Sequence, residues 1–308
     1  MKIAVMGTGG VGGYFGTRLA LGGSEVAFVA RGAHLAAMRE HGLRVRSAGG
    51  DLHLAPVHAT EDPREIGPVD LVLFGVKLWD TSAAAEAIRP LLAPDTAVVS
   101  FQNGVVKDDI LTEVLGRRAV IGGVCYIAAT IAEPGVIVHT GSMQRLVFGE
   151  YDGTRSARVE RFEAACRQAG IDVEVSADIT RALWEKFVFL VAFSAVTSTT
   201  RRPIGAVRAH PQTRRLLAAA MQEVVDVGRA QGVALAPDFV ADRLRFADQL
   251  PVTMTSSMAN DLERGNRLEV PWLSGDVARR GAALGVPTPV NSTLFDVLSI
   301  AADGAATR

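Results

Sequence analysis

Residues 1–20 read MKIAVMGTGGVGGYFGTRLA, and this stretch decides the first half of the chain. A short apolar run, KIAVM, stops at Gly7. The loop Gly7, Thr8, Gly9, Gly10, Val11 and Gly12 follows and opens a helical pattern. Gly7, Gly9 and Gly12 fill the positions of a G-x-G-x-x-G turn. The first allows a tight turn, the second lets backbone approach a pyrophosphate, and the third lets helix pack close to strand. The helix start then offers unpaired N–H groups and the positive end of the helix dipole to an anion. Alone, such a loop is a weak signal, because a glycine-rich turn need not bind anything. Its place after a strand and before a helix gives it weight.

Working outward, EVAFVAR, VDLVLFGVK and TAVVSFQNG are near-continuous apolar runs separated by helical segments. That rhythm predicts a doubly wound parallel sheet covered on both faces. VIVHTG and RLVFGE read as two later strands and residues 159–170 as a helix. After Ala177 the style changes. Helices are expected over 178–200, 211–231, 237–264 and 271–284, with Gly232, Gly265 and Gly285 as C-terminal caps. The fold class is therefore α/β: an N-terminal Rossmann-like doubly wound sheet over 1–177, then an all-helical domain over 178–308.

Composition narrows the function. The chain has 308 residues, enough for two domains, and 48% of them are hydrophobic, ordinary for a globular protein. A formal net charge of −1 gives no bulk attraction to nucleic acid or an anionic membrane. Cys125 and Cys166 stand far apart in no CxxC pattern, which favours a reducing compartment, and the six histidines show no metal-ligand spacing, so no metal is expected. The glycines from position 7 on argue against a signal helix, and the apolar run 187–200 is shorter than the roughly 20 residues that span a bilayer. A cytoplasmic protein with no membrane segment is expected.

The end of the second strand chooses the cofactor. An acid there, about 20 residues after the loop, would hold a ribose 2′-hydroxyl. This chain reads FVARG, with Arg31 and no acid beside it in sequence. A guanidinium suits a 2′-phosphate, so NADP(H) is predicted, the alternative being a solvated arginine in a turn. Lys77 in VKLWD and Asn103 in FQNGV end two further strands, on the side where such sheets bind ligands. Read alone, Lys77 is also an ordinary solvated lysine and Asn103–Gly104 an ordinary turn.

The third signal is WEKFVFLVAFSAVTSTT, residues 184–200, where Lys186 heads an uncharged run. Helical spacing stacks Leu190 and Ser194 on its face. A lysine at a helix start can simply reach water. In a cleft, its ammonium can instead donate a proton to a carbonyl oxygen as hydride reaches the carbon. The stretch SSMANDLERGNRLEV adds Ser256, Ser257 and Glu269. The hydroxyls can anchor a carboxylate, and Glu269 can equally be an acid favoured near a helix start.

Taken in order, these motifs resemble the ketopantoate reductase (2-dehydropantoate 2-reductase) family, within the 6-phosphogluconate-dehydrogenase-like superfamily. The resemblance runs from the glycine loop through ARG, VKLWD, FQNGV, EPGVIVHTG, LWEKF and SSMANDLERGNRLEV to GVPTPVNSTL, over essentially the whole chain. It implies an enzyme with its active site between a Rossmann domain and a helical domain. The reaction implied is NADPH-dependent reduction of the ketone of a branched 2-oxo acid on the route to pantothenate. It implies Lys186 as general acid, and Glu269 as its partner near cofactor and substrate. The same resemblance puts Asn103 and Ser257 on the substrate, with Asn103 also on the nicotinamide. Gly7 to Gly12, Arg31, Lys77 and, through its backbone, Ala128 in YIAAT fall to the cofactor. The chain departs from the family in one respect. The lysine helix usually presents asparagines four and eight residues later, facing substrate, and here Leu190 and Ser194 stand there. An unpaired polar group on the substrate costs about 1–3 kcal/mol, so a paralogue acting on a more apolar 2-oxo acid competes with the ketopantoate reading. Opine-type imine reduction and a non-catalytic NADP(H) sensor are the readings from other classes. Helical second domains of this kind can pair, so a homodimer is open, although no surface pattern dictates one.

Overall fold

A computed structural model describes residues 1–304. The described chain forms two compact units: residues 1–103 with 107–182, and residues 104–106 with the chain from 183 on.

The first unit carries strands β1 (Lys2–Met6), β2 (Glu25–Val29), β3 (Leu43–Ser47), β4 (Leu52–Leu54), β5 (His58–Thr60), β6 (Val69–Phe74), β7 (Leu92–Ser100), β8 (Val120–Glu133), β9 (Val136–Gly149) and β10 (Asp172–Val175). Its helices are α1 (Gly10–Leu21), α2 (Gly32–His41), α3 (Thr81–Ala87), α4 (Val106–Leu115) and α5 (Ala157–Gln168), α4 beginning in the short segment that belongs with the second unit. The sheet runs β4-β3-β9-β8-β7-β6-β1-β2-β5, with β10 also on β9. The pairings from β5 through to β8 are parallel, and β8 then meets β9 antiparallel. This is the Rossmann-like arrangement that the strand rhythm predicts. Alternation along each strand builds two cores. Ile3, Val5, Leu71, Leu73 and Val99 bury toward Phe15, Leu19 and Phe28. Ala4, Val72, Phe74 and Val98 bury toward Ile88, Leu91 and Leu111 on the other face. The order of the strands reverses about β1, flanked by β2 and β6, so the ends of β1 and β6 define the switch point where such sheets bind ligands.

The later strands differ from the sequence expectation. VIVHTG and RLVFGE belong to the single strand β9, with residues 140–143 extra where its register against β8 jumps from Ile127–Gln144 to Ala129–His139. Ala128 sits at that irregularity and is exposed.

The second unit is helical. It holds most of α6 (Ile179–Thr200), then α7 (Ile204–Ala209), α8 (Pro211–Ala230), α9 (Phe239–Gln249), α10 (Ser257–Glu263), α11 (Ser274–Leu284) and α12 (Pro289–Ser299). The single helix expected over 237–264 is two. Leu250, ahead of Pro251, is extended (ψ 151°), as the proline ring demands of the residue before it, and the helical run resumes only at Ser257. Gly228 lies so close to the Trp184 ring that a Cβ would come within 2.8 Å of it, which seats α8 against α6. Phe189 stacks on Phe193 and meets Phe246 of α9 edge-on. The start of α12 is capped from afar: the Glu223 carboxylate accepts from the backbone N–H of Val290 (2.7 Å) and Asn291 (2.8 Å).

Candidate active site

In the first unit the glycine loop is fixed by its neighbours. Gly7 has φ +94°, a region that side chains rarely adopt, and a Cβ there would come within 2.8 Å of the Val76 nitrogen. The carbonyl of Val29 accepts from the backbone N–H of Gly7 and Thr8 (3.3 Å each) and from Thr8 Oγ1 (3.0 Å), so the loop is tied to the end of β2. Gly12 packs on β1, where a Cβ would reach 2.9 Å from Val5. At Gly10 a Cβ would collide with the Ala129 carbonyl of β8 and sit 2.8 Å from the Thr130 nitrogen. Gly9 is the contrast. It caps α1, no side chain caps the helix end, and a Cβ would meet no protein atom within 4 Å. Next to Gly9 and Gly10, the half-buried Val11 lies in the first turn of α1. Open space before a helix N-terminus with uncapped N–H groups fits a dinucleotide phosphate cradle.

Arg31 caps the start of α2, just past β2, and is exposed. Its Nη2 donates to Asp80 Oδ2 at 3.2 Å. An acid is therefore beside Arg31 after all. It comes not from β2 but from the turn after β6, two strand spacings or roughly 10 Å across the sheet. Sequence reading missed Asp80, although it closes the quoted VKLWD motif; only the β2-β1-β6 strand order makes the two neighbours. Lys77 opens that turn, exposed, with its ammonium 5.5 Å from the centre of the Trp79 ring.

A buried polar network holds the strand ends. Gln102 Nε2 donates to the Val76 carbonyl (2.9 Å) and to Thr81 Oγ1 (2.8 Å), and its Oε1 accepts from Ser100 Oγ (2.9 Å). Lys107, fully buried, donates to the Ser100 carbonyl (2.9 Å) and to Asp108 Oδ2 (2.8 Å), which also accepts from the Tyr151 hydroxyl (2.7 Å). Burial, with Asp108 adding to it, pushes the Tyr151 phenol far above its ordinary range, so it stays protonated as a donor. This network precedes and follows Asn103, which is half-buried, and fixes the turn that carries it. Nothing in the sequence pattern marks Lys107 as buried, since a lysine in KDD reads as solvated.

In the second unit, Lys186, Leu190 and Ser194 lie at four-residue intervals on one unbroken helix, α6, and so share a face. Lys186 and Leu190 are half-buried and Ser194 is buried, while Phe187, Val188 and Val191 around them are in the core. Ser256, rather than Ser257, is the structural hydroxyl. Its Oγ accepts from the Ala259 N–H (3.0 Å), capping α10, and lies 2.9 Å from Thr197 Oγ1 of α6. Ser257 is exposed at the first position of α10, which this bridge anchors to the lysine helix. Glu269 is half-buried and precedes a single 3₁₀ turn, with its carbonyl accepting from the Trp272 N–H (3.0 Å). Gly104 (φ +85°) draws two of these segments together: a Cβ on it would lie 3.4 Å from the Trp272 carbonyl and 3.9 Å from the Phe187 ring.

The family model for ketopantoate reductase PanE/ApbA matches residues 3–153, and its C-terminal counterpart matches residues 178–302. The chain belongs to the ketopantoate reductase family. As such it is an oxidoreductase acting on CH–OH groups, in a family that depends on NAD(P). It is 33% identical to a 2-dehydropantoate 2-reductase of Halobacterium salinarum, over 98% of this chain and 99% of the relative. A solved 2-dehydropantoate 2-reductase of Geobacter metallireducens superposes with a TM-score of 0.91 at 34% identity, covering 98% of this chain and 100% of the other. The fold alone is shared with D-mandelate dehydrogenase, solved with NADH and anilino(oxo)acetate, at TM-score 0.90 and 21% identity over 98% and 99% of the two chains. No helix among the described residues is long and apolar enough to cross a membrane.

Proposed function

We propose that this chain reduces the ketone of a 2-oxo acid, 2-dehydropantoate, to the alcohol with NADPH, and that Lys186 is its general acid. The observation that carries the reading is the α6 face. A cation is kept half-buried among core side chains, at the head of a stripe running through Leu190 to Ser194. NADPH supplies the hydride when bound. The chain's own groups do the rest. The uncapped start of α1 at Gly9 receives pyrophosphate, while Arg31 and Lys77 attract the 2′-phosphate. Asn103, held in its turn, and the backbone at Ala128 position the nicotinamide half. Asn103 and Ser257 hold the substrate's polar groups. Lys186 delivers a proton to the carbonyl oxygen as negative charge develops there, and Glu269 orients the lysine and the substrate hydroxyl. The two cysteines are free and buried, which suits a reducing cytoplasm.

Leu190 favours a second reading. Its side chain cannot hydrogen-bond a substrate hydroxyl, which suits a more apolar 2-oxo acid. NADPH oxidation with 2-dehydropantoate beside 2-oxo acids lacking its hydroxyl separates the two. A higher kcat/KM for 2-dehydropantoate supports the first reading, and a higher value for a non-hydroxylated acid supports the second. Absence of turnover across the panel with NADPH still bound contradicts both, and dependence on added amine would mark imine reduction instead.

A further inference from the structure

We infer that Asp80 sets the preference of this site between phosphorylated and unphosphorylated nicotinamide cofactors; this rests on the dinucleotide reading above. The two groups that discriminate these cofactors in such folds are an acid, which accepts from a ribose 2′-hydroxyl, and an arginine, which grips a 2′-phosphate. Here both are present and bonded to each other: Arg31 Nη2 donates to Asp80 Oδ2 at 3.2 Å. The arginine side chain is 79% exposed and that of Asp80 37%. The acid's backbone is the fixed partner. The Asp80 N–H donates to the Lys77 carbonyl (2.9 Å), Thr81 Oγ1 donates to the Leu78 carbonyl (2.8 Å), and buried Gln102 bonds Thr81 and Val76 on either side. The backbone of Asp80 therefore keeps its carboxylate within a side chain's reach of this place when a ligand arrives, while the more exposed guanidinium has the longer reach and can turn away.

A 2′-phosphate must then compete with a neighbouring carboxylate for Arg31 and accept its repulsion. A 2′-hydroxyl meets no repulsion and finds an acceptor. The pair offsets the arginine's bias toward the phosphorylated cofactor without abolishing it, because Lys77 opens the same turn.

The test is direct binding of NADPH and of NADH to the full chain, without substrate, by fluorescence titration of wild type, Asp80→Asn and Asp80→Ser. Thermal melts check that the variants fold, and the serine variant stands in if the asparagine one does not. Removing one charge from an exposed pair is expected to tighten NADPH about 5-fold and to weaken NADH by about 3-fold, the gap narrowing as salt is raised. If both affinities move together, or neither moves, Asp80 does not discriminate and the inference fails while the dinucleotide reading stands. If wild type binds neither cofactor, the dinucleotide reading itself fails and takes this inference with it.

Discussion

Adding one methyl group at Gly9 and one at Gly10 should have opposite consequences, although the residues are neighbours. At Gly10 the new Cβ would sit 2.8 Å from the Thr130 nitrogen and closer still to the Ala129 carbonyl, where ordinary contact begins at 3.4 Å. The shortfall, at least about 0.6 Å, is against the backbone of β8, which cannot swing aside as a side chain could. Overpacking of this kind costs about 1–3 kcal/mol. For a domain of this size that lowers Tm by about 2–4 °C per kcal/mol. At Gly9 the added Cβ meets no protein atom within 4 Å, and φ is −78°, which any residue adopts. Gly9→Ala should therefore keep its Tm, or gain the roughly 0.4–1 kcal/mol that a less flexible unfolded chain confers. The same methyl would occupy the space before the α1 N-terminus, so NADPH binding should weaken by at least about 10-fold, a loss of roughly 1.4 kcal/mol. Differential scanning calorimetry and fluorescence titration on both variants check this. A Gly9→Ala protein that binds NADPH as wild type does would refute the assignment of that space to the cofactor. A Gly10→Ala protein with an unchanged Tm would refute the packing argument.

Ser256→Ala removes both the α10 cap and the bridge to Thr197, so it should lower stability by about 1 kcal/mol in denaturant melts. Ser257→Ala should leave stability unchanged and raise KM for the oxo acid, because that hydroxyl is exposed and has no capping role. Glu150 supplies a pH dependence. Burial pushes its carboxyl up, but hydrogen bonds from Arg158 and Ser156 outweigh burial and leave it below its ordinary value. A depressed carboxylate contributes stability that is present above its unfolded value of 4.5 and lost as pH falls through the folded one. Thermal melts across that acid range should show wild type losing more than Glu150→Gln, and parallel curves would refute the assignment.

The parts of the fold legible in sequence were those set by local pattern. KIAVM, EVAFV and VDLVLF are near-continuous apolar runs because both faces of a parallel sheet are covered, and the glycine loop sits where strand meets helix. Strand β8 was hidden by Gly122 and Gly123, which look like a turn. Each is a close approach instead: a Cβ would come within 2.6 Å of Ile179 and of Val99 respectively. Helix α12 was hidden because its cap, Glu223, lies far away in sequence. In the candidate site, type and spacing alone were enough to place Gly7 after β1, Arg31 after β2 and Lys186 on the long helix α6. Asp80 and Lys107 could not be read that way. The first acquires its meaning from strand order, and the second from a buried network that only the folded sheet assembles.

The central claim is that Lys186 protonates the substrate oxygen, and it is tested most directly by measuring kcat with 2-dehydropantoate and the NADPH dissociation constant for Lys186→Ala. General-acid assistance accounts for about 10²–10⁴ in rate, so kcat should fall by about that much while NADPH binds within about 2-fold of wild type. A variant that retains kcat within a few-fold of wild type would contradict the account.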